Sequence, residues 1–207
     1  MSRCLVGSEM CIRDSLLEPI DDQIAWITGS QVCYCAEAFQ GVSRQHPDAA
    51  ALSVLATVLR NGFLHTAIRE KGGAYGAGAI NDTATNTFKF FSYRDPKCSE
   101  TFSAFREAIE WSKTSITDQH LEEAILGVVS SIDKPLSPVG EAKNDFNFNL
   151  EDISTKERLE MRQRVINCSI DDLIRVSEKY LTKPSKKSIL AGKAYSKEAS
   201  SLGLNLR

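Results

Sequence analysis

The sequence predicts an α+β fold: a mainly antiparallel sheet with helices covering one face, formed by a single domain over residues 16–207. Three observations predict it. Strand-like runs come first, then a helix, a hairpin, several helices and a last strand, which is not the strict alternation of a doubly wound parallel sheet. Two alternating runs flank the turn-rich NDTATN, the pattern of a hairpin. The 207 residues, 42% hydrophobic and 25% charged, are enough for one sizeable core, and no repeat or low-complexity linker divides them.

Taken in order, the opening MSRCLVGSEMCIRDS lacks the uninterrupted apolar stretch of a signal peptide, because Ser8 and Glu9 break it. It reads as a non-native, adapter-like leader, Met1–Ser15, with a disordered leader as the alternative; on the first reading the natural chain is truncated upstream of Leu16. Ala25 to Phe39 alternates as one strand or two, with Val32, Tyr34 and Ala36 on one side. The strongest helix follows Pro47 and Asp48, which suit a first helical position and the first-turn dipole. Its stripe is Leu52, Leu55, Leu59 and Phe63, with a kink or break expected at Gly62 and a stop at Gly72-Gly73. AYGAGAI and TFKFFSY form the hairpin, Phe88 and Phe90 facing opposite to Lys89, Phe91 and Tyr93. A helix after Asp95-Pro96 carries Phe102, Phe105 and Ile109, and one opened by Thr117 carries Leu121, Ile125, Val128 and Ile132. DKPLSPVGEAKNDFNFN has Pro and Gly breakers and no clear period, so it reads as a long loop. Ser154 with Glu157 and Ser169 with Asp172 are capping boxes opening two more helices, and KKSILAGKA is the last strand.

Function classes narrow from the totals. A formal charge of −2 supplies no field to attract phosphate backbones, so no nucleic-acid partner is expected. Apolar runs fall short of the ~20 residues of a membrane span, so no membrane partner is expected either. Of six cysteines, four follow the leader without a C-x-x-C pair. Cys33 and Cys35, two apart, share one strand face, a spacing poor for a disulfide or a compact zinc site, and buried thiols in a reducing compartment are expected.

Local catalytic motifs are missing. GAGAIN, Gly76 to Asn81, has Asn81 where a dinucleotide fingerprint needs glycine, and it follows a helix rather than a strand. The histidines are His46, His65 and His120. HLEEA, His120 to Ala124, approaches the inverted zinc pattern but holds Ala124 where the second imidazole must be, and one histidine cannot hold the metal. The feature left is IREKGGAYGAGA. A helix that stops at Gly72-Gly73 and turns straight into a strand can direct Arg69 and Tyr75 into one space. A guanidinium and a phenol there suit a carbonyl oxygen gaining negative charge. The plain alternative is an exposed helix-end arginine and a packed strand tyrosine.

LRNGFLHTAIREKGGAYGAGA, FKFFSYRDP, EEAILGVVSSIDKPLSPVGEAK and RQRVINCSIDDL, in that order, resemble the C-terminal half of the pitrilysin/insulinase family of zinc metallopeptidases, most closely its presequence protease branch. The resemblance covers about Trp26 to Gly192. It implies a metallopeptidase half-domain whose Arg69 and Tyr75 hold a substrate peptide's backbone next to the scissile bond. It further implies zinc bound by an N-terminal half of the same polypeptide rather than by this chain, which alone should be inactive, and catalysis by zinc-activated water. The alternative within the same fold is a non-catalytic scaffold or substrate-recognition subunit. Bacterial cytoplasm, mitochondrial matrix and organelle lumen are the compartments the branch implies.

Overall fold

A computed structural model describes residues 22–207; the leader, with Cys4 and Cys11, lies outside the described residues. The first strand region is two strands, β1 (Ile24–Thr28) and β2 (Tyr34–Gln40). Helix α1 (Ala49–Leu59) runs directly into a π-helical segment, Arg60–Glu70. The hairpin β3 (Gly76–Asp82) and β4 (Thr87–Tyr93) follows. Then come α2 (Ser99–Thr114), α3 (Asp118–Ile132), α4 (Pro138–Leu150), α5 (Thr155–Ile166) and α6 (Ile170–Leu181). The chain finishes with β5 (Lys186–Gly192), a short α7 (Ser196–Ser201) and β6 (Asn205–Leu206).

The sheet order is β3-β4-β2-β5-β1-β6. β4 pairs antiparallel with β3 and β2, and β2 antiparallel with β5, while β1 is parallel to both β5 and β6. The expected mainly antiparallel α+β sheet is present. Its helix-facing side is the core. Phe88 and Phe90 of β4, Phe39 of β2 and Ile189 of β5 are buried against Leu52, Leu55 and Leu59 of α1 and Phe105 of α2. Phe90 stacks on Phe105 at 5.3 Å between ring centroids. Cys33 and Cys35 sit on this buried side, and the four cysteines of the described residues are free thiols.

Four sequence expectations need correction. Gly62 neither kinks nor breaks the long helix; the backbone widens two residues earlier, from Arg60, and continues to Glu70. A Cβ at position 62 would lie 2.6 Å from a ring carbon of Trp111, so glycine is there to let α2 approach. Pro47 lies outside the helix and Asp48 is its N-cap residue, so neither stands in the first turn, and the Asp48 side chain is turned toward α6. DKPLSPVGEAKNDFNFN is a loop only as far as Ser137, because Ser137 accepts from the Gly140 N–H and Pro138 takes the first helical position, which starts α4. KKSILAGKA is not the last strand, since β6 adds alongside β1.

The continuous helix Ala49–Glu70 has the length and apolar composition to cross a membrane, which apolar runs alone did not suggest. Half of it is buried inside the protein, and its apolar stripe forms the core.

Candidate substrate-holding site

The junction of helix and hairpin is built by backbone pairing. The π-type bond from Lys71 N–H to Thr66 O closes the helix. Gly73, at φ +84°, then reverses the chain in a conformation that side-chain-bearing residues rarely adopt. Gly73 N–H returns to Arg69 O, and Ala74 N–H to Ile68 O, so Tyr75 emerges beside the helix's last turn. From the other side, Tyr75 N–H bonds Arg94 O at 3.3 Å. Arg94 itself sits at φ +50°, and the next residue, Asp95, is buried and exchanges backbone hydrogen bonds with Cys33. Three separate stretches of chain thus fix one short turn.

Arg69 and Tyr75, the two residues singled out in the sequence, line the same open cavity of about 710 Å³. His65, Glu70 and Arg94 line it with them. Arg69 Nη1 donates to His65 Nε2 at 2.8 Å. A guanidinium has only donors, so His65 accepts there as the neutral ring protonated on Nδ1. That Nδ1 faces Glu70 Oε1 at 3.4 Å. The chain Glu70–His65–Arg69 orients the guanidinium and uses one of its N–H groups, leaving the others for the cavity. Tyr75 is 69% exposed and stands edge-on to Tyr93 at 5.7 Å, leaving its hydroxyl clear. Two guanidinium groups, a phenol and a small-residue wall form a donor-rich surface suited to carbonyl oxygens.

His65, Glu70 and Arg94 were missed in the sequence. The signal for His65 was available, because it precedes Arg69 by one helical turn. Arg94 reaches the site only through the sheet, where Tyr93 pairs with Gly76 across the hairpin.

The histidines of this chain do not suit a zinc centre. His46 accepts from Asp48 N–H, His65 from Arg69, and His120 closes a capping box with Thr117 at the start of α3. Among the described residues no cluster of His, Cys, Asp and Glu could hold a metal ion.

The family model for the PreP C-terminal domain matches residues 29–190, a range that includes Arg69 and Tyr75. The chain belongs to that family. It is 41% identical over 157 residues to the mitochondrial presequence protease of Eremothecium gossypii, covering 75% of this chain and 16% of that protein. The mitochondrial presequence protease of Xenopus tropicalis is 37% identical over 182 residues, covering 87% and 17%. The matched part of this chain thus spans about one-sixth of these relatives' length. Among solved structures, a protease from Helicobacter pylori superposes with a TM-score of 0.70 at 19% identity, over 81% of this chain and 43% of that one. The peptidase M16 inactive domain of Pseudomonas fluorescens superposes at 0.64 with 16% identity, over 83% and 44%. At those identities the structures show the fold alone. The PreP C-terminal assignment and the α+β fold agree with the resemblance seen in the sequence.

Proposed function

We propose that this chain is the substrate-holding, non-zinc-binding lobe of a zinc metalloendopeptidase that degrades unfolded peptides. Its partners are the peptide and the N-terminal half of the same polypeptide. Arg69 and Tyr75 donate hydrogen bonds to backbone carbonyls beside the scissile bond. The carrying observation is that both residues line one open cavity, with Arg69 aimed by His65. Zinc belongs to the remainder of the polypeptide, and this chain supplies donors whose hydrogen bonds strengthen as a carbonyl oxygen gains charge. The names of the relatives favour the mitochondrial matrix among the compartments considered.

The test is made in the complete polypeptide. Arg69→Ala and Tyr75→Phe should each lower kcat/KM for an unstructured peptide by about 10²–10³, the cost of one lost oxyanion donor. Zinc content and melting temperature should stay at wild-type values. Wild-type turnover by both variants would refute the assignment. A complete polypeptide that binds peptides without cleaving them would instead establish the recognition-subunit role.

A further inference from the structure

The sheet face turned away from the helices carries a continuous cross-strand row. Trp26 of β1 is in register with Leu190 of β5, and Leu190 with Tyr34 of β2. Tyr34 meets Tyr93 of β4 edge-on at 5.3 Å, and Tyr93 meets Tyr75 at 5.7 Å. Trp26 is 49% exposed, Leu190 40% and Tyr93 46%, so the row is a surface feature rather than core. With strands about 4.8 Å apart, four strand intervals make it about 19 Å long, the reach of about six extended residues.

The tyrosines divide by position. Tyr180 donates its hydroxyl to Asp48, and Tyr195 to backbone carbonyls of Pro96 and Gln31. Among the described residues, the hydroxyls of Tyr34, Tyr75 and Tyr93 have no hydrogen-bond partner. All three lie in the row. A phenol offers an apolar ring and a polar tip, the combination for an occupant with apolar side chains and a polar backbone. The other exposed apolar set, Leu126, Phe146, Leu150 and Leu159 on α3, α4 and α5, has no such polar tips.

We infer that this row is an extended subsite for the peptide held at Arg69 and Tyr75, selecting segments with bulky aliphatic or aromatic side chains. The inference rests on the proposed function, because Tyr75 belongs to both features and makes the row continuous with the holding site. The peptide crosses the strands on the open face, its apolar side chains settling between Trp26, Leu190 and the tyrosine rings. The three hydroxyls meet its backbone.

The experiment measures binding by fluorescence anisotropy, in the complete polypeptide, of a labelled unstructured ten-residue peptide bearing Leu and Phe, and of its Ser-substituted counterpart. Wild type should prefer the apolar peptide, and Trp26→Ser with Leu190→Ser should lower that preference roughly tenfold. Arg69→Ala should weaken both peptides equally. An unchanged preference in the double variant overturns the subsite, while equal weakening by Arg69→Ala still upholds the holding site. Photocross-linking serves if the double variant folds poorly, with benzoylphenylalanine placed in the apolar peptide and added to otherwise unaltered polypeptide. Cross-links at Trp26 or Leu190 support the subsite, and cross-links confined elsewhere overturn it. With benzoylphenylalanine at position 26 and no peptide added, linkage to another part of the polypeptide or to a second copy also overturns it.

Discussion

The two ends of the helix Ala49–Glu70 carry charge under opposite conditions. At its beginning Asp48 is 4% exposed and accepts from Arg175, Lys179 and Tyr180, each at 2.7 Å. At its end Arg69, His65 and Glu70 make a short chain of contacts at the rim of an open cavity. One arrangement closes on itself and ties α1 to α6. The other orients a guanidinium and leaves donors facing outward. The difference separates charge that holds the fold from charge available to a ligand, and it makes opposite demands under mutation.

Asp48→Ala tests the closed end and should have the largest effect on stability. Removing the acceptor strands three donors around a buried position. Because Arg175 and Lys179 are half-exposed, the loss should sit at the low end for a broken buried pair, about 3 kcal/mol in urea denaturation. The same residue predicts an acid limb. Burial alone would raise the Asp48 pKa, but Lys179, Tyr180 and Arg175 outweigh it and hold the carboxyl well below the usual carboxylate range. A folded-state pKa below the unfolded one gives stability that is complete above about pH 4 and declines as pH falls further toward the folded value. Asp48→Asn should flatten that decline. An unchanged acid limb would mean that other carboxylates set it.

Much of this contrast was legible in the sequence, where the signals were local. The capping boxes Ser154–Glu157 and Ser169–Asp172 form as read, since each is a bond between residues three apart. The hairpin and the facing of Phe88 and Phe90 follow from alternation alone. Asp48 sits at the helix end where the sequence places it, but its partners do not show there, because α6 lies more than a hundred residues away in sequence. α4 was missed for a different reason. None of its residues is buried, so no apolar period marks it, and only Ser137-Pro138 announced its start. At the candidate site, Arg69 and Tyr75 could be paired because a tight turn joins them. Arg94 and the tyrosine row depend on strand order, which a single sequence does not display.

Gly62→Ala sharpens the comparison midway between the two ends. The added methyl group would lie 2.6 Å from the Trp111 ring, which also packs near Phe63 at 5.9 Å and His120 at 5.2 Å. Overpacking of this kind costs about 1–3 kcal/mol, and the better helix propensity of alanine offsets about 1 kcal/mol. A net loss of up to about 2 kcal/mol is expected, and it should shrink when Trp111→Leu makes room. If Gly62 mattered only as a flexible point, alanine would stabilise the chain with or without Trp111.

The smallest effect on the fold should come from His65→Ala at the open end, within about 0.5 kcal/mol, because the ring is part-exposed and its partners are surface groups. The effect on substrate holding should be larger than the effect on stability. Without the Nε2 acceptor the guanidinium loses its orientation toward the cavity, although its charge and length are intact. In the complete polypeptide, kcat/KM should fall several-fold, well short of the loss from Arg69→Ala, since misorientation weakens a donor without deleting it. His65→Gln can present an amide oxygen near the same place and should recover part of the loss, whereas a general loosening of the helix end would be shared by both variants. His65→Ala combined with Arg69→Ala should be no worse than Arg69→Ala alone. An additive double variant would show that His65 acts on the peptide directly and not through Arg69.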